Sequence, residues 1–175
     1  MTMSSDATGL AASIDHGSEV SRLYTRGMIA GVLGAAVVAL WFLLLDAAHG
    51  RPFYTPTVLG TALFGRSADL TSPDQLRISV EMVTMFTWVH GLVFAALGAL
   101  ASRLLGVAER NPSLGFGVVL LFVVFQFAFT VAAMLFAAPV LHVLTWPAVF
   151  GANLLSAAVM TAYLWYRSPT LHVSP

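Results

Sequence analysis

GMIAGVLGAAVVALWFLLL, residues 27–45, carries no charged side chain and no proline. At a rise of about 1.5 Å per residue, a helical run of this length crosses a hydrocarbon core about 30 Å thick. Working outward, three further apolar runs without Asp, Glu, Lys or Arg follow at residues 82–102, 114–137 and 143–166. Their number and spacing predict an all-α polytopic membrane protein, with four transmembrane helices in an up-down bundle. The expected organisation is a polar, disordered N-terminal leader over residues 1–25, a transmembrane domain over 26–167 and a short tail over 168–175.

Composition points to the same solvent. Hydrophobic residues make up 58% of the chain and charged residues only 9%, with a mean hydropathy of +0.85. A water-exposed surface normally carries several times that density of ionic groups, so a soluble fold is excluded. Four spans and their connections use up the 175 residues, and any chemistry must reside in the bundle or at its rims.

Several reaction classes are removed by what the chain lacks. With no cysteine there is no disulfide, thiolate metal site, iron–sulfur ligation or nucleophilic thiol. All eight cationic residues are arginine, which removes Schiff-base chemistry and amine general bases. A formal net charge of zero argues against nucleic acid as a partner, which would call for a basic patch.

Orientation follows from arginines near the span ends. Arg22, Arg26, Arg103, Arg110 and Arg167 fall on one side, whereas Arg51, Arg66 and Arg77 share the other with Asp69 and Asp74. That bias predicts both termini in the cytoplasm. The first outer connection contains Thr55-Pro56, read as an N-cap followed by proline at the first helical position, and ends at the helix-stopping Gly65. A short interfacial helix is therefore expected there, with Val58, Leu59, Ala62 and Leu63 on one side. Ser72-Pro73-Asp74-Gln75 has capping-box spacing, so the second spanning helix is expected to start outside the membrane near Ser72, and Asn111-Pro112 to open the third. Trp146, Tyr163, Trp165 and Tyr166 suit interfacial anchors at the ends of the fourth span.

Small residues line two seams. Gly27, Gly31, Gly34, Val38, Trp41 and Leu45 recur at three-and-four spacing on the first span, and Glu81, Thr84, Trp88, Gly91, Ala95, Gly98 and Ser102 on the second. In lipid, close backbone approach is a main source of helix association, so these faces are expected to touch each other or to dock on another subunit.

Two polar constellations stand out. Asp46, His49, Glu81 and His142 fall on the outer face under the favoured topology, from three chain segments. Two carboxylates and two imidazoles can bind a divalent metal, relay protons or act as a pH switch; equally, they can simply mark the span ends. Deeper, His90 and Gln126 fall near the midplane and Asn153 in the outer half of the core, where they can bind a cofactor or serve as interhelical hydrogen-bonding glue. His90 is a candidate haem ligand, but no second histidine lies at matching depth, so haem, quinone or pigment would be shared with another subunit.

GRPFYTPTVLGTALFG at residues 50–65, a histidine in the second span and the closing GANLLSAAVMTAYLWYR at 151–167 resemble a group of small four-span bacterial membrane proteins. That group has no assigned function. The resemblance implies a bacterial inner-membrane location, which all-arginine usage also suits. The sequence reading is a non-catalytic structural or accessory subunit of a larger membrane complex, which could be an energy-converting one, contacting lipid and other subunits. Two alternatives stay open: a small oligomeric channel or transporter with the outer His/carboxylate site, and a subunit contributing to a cofactor site through His90. The cofactor, if any, is unknown.

Overall fold

The computed structural model describes residues 3–65, 76–108 and 145–167. Helix α1 spans Met3–Ala48, α2 Tyr54–Phe64, α3 Val80–Ala108 and α4 Trp146–Arg167. No strand occurs among the described residues. Three segments are long and apolar enough to cross a membrane: Ser21–Ala48, Val80–Arg103 and Trp146–Leu164. They correspond to the first, second and fourth expected spans, while residues 114–137 lie outside the described residues.

Helix α1 is the axis of the assembly. Gly27 meets Gly98, Ala99 and Ser102, Gly31 meets Phe94 and Ala95, and Ala35 meets His90, so α3 runs antiparallel to α1. Gly34 meets Ser156 and Met160, and Trp41 meets Ala148 and Gly151, so α4 is antiparallel to α1 as well. Consequently α3 ends beside the start of the α1 span, and α4 begins at the opposite end.

The α1–α3 contact depends on missing side chains. A Cβ added to Gly31 would lie 2.6 Å from the Phe94 carbonyl carbon, and one added to Gly98 would lie 2.6 Å from the Gly31 nitrogen. Both are closer than any tolerated contact, so only hydrogen fits and the two backbones touch. Residues 27, 31 and 35 face 90, 94, 98 and 102 at four-residue spacing. Ridges of that spacing on both helices belong to the right-handed, close-approach class typical of GxxxG pairs. The seam expected from the sequence is therefore correct at its Gly27, Gly31, Ala95, Gly98 and Ser102 end only. Gly34 and Trp41 turn to α4, and Glu81, Thr84 and Trp88 are exposed, with open space where a Gly91 Cβ would stand.

Packing is inverted relative to a soluble protein. The buried hydrophobic residues are Ala30, Ala35, Tyr54, Val58 and Ala152, whereas Leu44, Trp88, Leu92 and Phe150 are each more than 60% exposed. Small residues inside and large ones outside suit a solvent of acyl chains, which solvate leucine as well as protein does. So large a continuous apolar surface would not stay monomeric in water. This is an integral membrane protein.

The backbone of residues 3–20 belongs to α1. Once a spanning helix has met the nucleation cost, extending it through a proline-free, alanine-containing stretch adds a hydrogen bond for each residue fixed. Helix α3 does not begin at Ser72, because residues 76–79 are not helical. Its cap is Ser79, whose Oγ accepts the Met82 N–H at 3.4 Å.

Candidate functional site

At the α2 end of the bundle, the polar groups converge on Asp46. The chain leaves α1 through Gly50, at φ +73°, and enters α2 through Phe53, at φ +65°. The left-handed region is free for glycine but disfavoured for phenylalanine. Phe53 offers no side-chain cap, and Asp46 supplies one from nine residues upstream. Its Oδ2 accepts the Thr55 N–H and its Oδ1 the Thr55 hydroxyl, each at 2.7 Å, with the carboxylate side chain 7% exposed. Thr55 thus lies inside the helix as a donor, where an N-cap acceptor had been expected. A charged acceptor at a helix N-terminus outcompetes a hydroxyl because it gains from the amide dipoles as well as the hydrogen bond.

A ladder of threonines carries this anchor on to α3. Thr57 donates its hydroxyl to the Phe53 carbonyl at 2.8 Å and accepts the Ser79 N–H at 3.4 Å. Thr61 donates to the Thr57 carbonyl at 2.8 Å. Back-bonding to the preceding turn lets buried hydroxyls sit in a helix with their donors satisfied. Gly60 lies against Met82, and Val58 and Tyr54 form a small apolar cluster with Leu59, Ala62 and Leu76. A short helix is thus present where one was expected, and it is tied to α1 and α3. Leu63, expected on its packed side, is 49% exposed. Arg51 lies over the Tyr54 ring, 3.8 Å from its centroid, and donates to the Leu76 carbonyl at 3.3 Å.

The other members of the expected outer cluster are placed differently. His49 is exposed and its Nδ1 lies 2.7 Å from the Leu45 carbonyl. Since a carbonyl only accepts, Nδ1 carries the proton. Glu81 is exposed in the first turn of α3. His142 lies outside the described residues. Among the described residues no three His, Asp or Glu side chains gather closely enough to hold a metal ion.

In the membrane interior, His90 lies on the α1–α3 seam. Its Nε2 is 3.3 Å from the Ala35 carbonyl, which fixes the proton on Nε2. Its ring stacks on Phe86 one turn before, at 5.6 Å between centroids, and meets Phe94 one turn after at 4.6 Å. Asn153 is half-buried on α4, between buried Ala152 and the turn that ends in buried Ser156. Gln126 lies outside the described residues.

Sequence reasoning missed the backbone-directed polar bonds that cross between helices. Trp41 donates its indole N–H to the Ala148 carbonyl at 3.0 Å, and the Ser102 hydroxyl lies 3.1 Å from the Leu23 carbonyl. Arg103 donates to the Tyr24 hydroxyl at 3.1 Å. A lone tryptophan or serine on a small-residue face gives no sign of which carbonyl it will find.

Comparison of the chain with known protein families, characterised proteins and solved structures finds no match.

Proposed function

We propose that this protein is a non-catalytic accessory subunit of a larger assembly in a bacterial inner membrane. In this reading it crosses the bilayer four times with both termini cytoplasmic. The supporting observation is how intramembrane polar groups are used among the described residues. Trp41, Thr84, Thr87, His90 and Ser102 each lie at hydrogen-bond distance from a helix carbonyl, of their own or a neighbouring helix. Catalysis or coupled transport needs convergent polar groups with lone pairs or protons to spare, or a charged residue in a broken helix. Here those groups serve packing. A fourth crossing is supported by the described ends of α3 and α4, which lie at opposite ends of the bundle, together with the apolar run 114–137 in the sequence between them.

The assembly reading is tested by gentle extraction from native membranes and native mass measurement. Other proteins in fixed stoichiometry with the chain are the expected result. A homogeneous homo-oligomer would contradict it and favour a channel or transporter.

One observation favours a second reading, a cofactor site completed by another subunit. A histidine that donates one ring N–H to a backbone carbonyl presents its other nitrogen as an oriented lone pair, the arrangement common to metal-bound histidines. An absorbance band in the same preparation, lost in His90→Ala while the protein stays folded, would support it.

A further inference from the structure

The antiparallel register sorts the described arginines in a way that the linear sequence only partly conveys. At the end where the α1 span begins, Arg22 and Arg26 on α1, Arg103 on α3 and Arg167 in the last turn of α4 are all exposed. Glu19, three residues before Arg22, is the nearest acid along α1. The opposite end is balanced instead: Arg51 and Arg77 lie at the same end as Asp46 and Glu81, and Arg51 is occupied by the Tyr54 ring and the Leu76 carbonyl.

One arginine of the unbalanced end is already oriented. Arg103 reaches across the α1–α3 seam to the Tyr24 hydroxyl through a single Nη1 contact. A guanidinium has five N–H donors in a fixed fork that matches the oxygens of a phosphate, and the Tyr24 contact uses one of them. Beside it the Ser102 hydroxyl lies 3.1 Å from the Leu23 carbonyl and 2.9 Å from the Ala99 carbonyl of its own helix, and Gly27 packs against Gly98, so the guanidinium stands where the two helices touch.

We propose that this arginine end is a docking surface for anionic phospholipid headgroups, with Arg103 and Tyr24 as its organised centre and Arg22, Arg26 and Arg167 as its rim. Phospholipid is favoured over a soluble anion because the four guanidiniums ring the ends of three spanning helices, at the depth where headgroup phosphates lie. Basic residues at such a surface gain from the negative potential of anionic leaflets.

The test is lipid selection by the full-length protein. It is reconstituted in vesicles of equal parts phosphatidylcholine and phosphatidylglycerol, extracted gently, and its retained lipids are counted by mass spectrometry. The wild type should retain phosphatidylglycerol in clear excess. Each arginine removed should lower that preference about five-fold near a charged membrane surface. Arg103→Gln alone and Arg22→Gln with Arg26→Gln should both do so, and Arg77→Gln at the opposite end should not. Helicity measured by circular dichroism shows that each variant is folded. Equal retention of the two lipids by the wild type overturns the proposal, as does an equal effect of Arg77→Gln. Displacement of the retained lipid by millimolar inorganic phosphate would identify a free-anion site and overturn it too.

Discussion

Gly31→Leu is expected to separate α1 from α3 and to abolish the native bundle. The added Cβ alone would stand 2.6 Å from the Phe94 carbonyl carbon and 2.9 Å from the Ala95 Cα, atoms of a helix backbone that cannot rotate aside as a side chain can. Overpacking in cores that can adjust costs about 1–3 kcal/mol, and where only whole-helix displacement relieves the clash, at least about 3 kcal/mol is expected. The loss would include the Ser102 and His90 bonds that depend on the same approach. The internal control is Gly91→Leu on the same seam of α3 as read from the sequence. Nothing lies within 4 Å of a Cβ there, so a change within about 0.5 kcal/mol is expected, as for surface sites generally. Reversible unfolding in mixed micelles, followed by helicity, measures both. Equal effects of the two substitutions would refute the assignment of the α1-facing stripe.

Asp46→Leu is expected to release α2 while leaving the α1–α3 seam intact. The substitution removes both acceptors of Thr55 at once, and a buried donor left unsatisfied costs about 1–3 kcal/mol. A combined loss of about 3 kcal/mol corresponds to roughly 100-fold faster local opening. Hydrogen–deuterium exchange over Tyr54–Phe64 should therefore accelerate by that order, with residues 27–35 protected as before. Asp46→Asn keeps one acceptor oxygen and should show a smaller effect. Unchanged exchange in α2 would mean that its docking rests on Val58, Gly60 and the threonines instead.

What could be read from the sequence divides along physical lines. Span lengths are dictated by one external quantity, the bilayer thickness, so runs 27–45, 82–102 and 143–166 correspond to helices in the structure. The seams were half legible. A sequence list that mixes three- and four-residue steps defines one broad face, but a strict four-residue step advances about 40° around the helix each time. Over residues 23–35 the close contact therefore follows Gly27, Gly31 and Ala35 toward α3, while Gly34 and Trp41 are left for α4. On α3 the same drift substitutes His90 for Trp88. The Asp46 cap was illegible because its partner lies nine residues away, across a turn that depends on Phe53 taking up a left-handed conformation.

The candidate site was legible in its members more than in its links. Asp46 and His90 were singled out because ionisable groups in lipid demand partners. In both cases a partner is a backbone group, the Thr55 amide or the Ala35 carbonyl, and backbone groups are present at every position of any sequence. His49 and Glu81 read as companions of Asp46 from their depth alone, yet both are exposed.

The antiparallel meeting of α1 and α3 underlies every step of this account, and the absence of native cysteine makes it directly measurable. With cysteines placed at Leu23 and Ser102, oxidation in intact membranes should yield a cross-linked monomer, because the Ser102 hydroxyl lies 3.1 Å from the Leu23 carbonyl. Cysteines at Leu23 and Thr84 should give none. Cross-linking of the second pair, or dimers in place of intramolecular bonds from the first, would contradict the fold described.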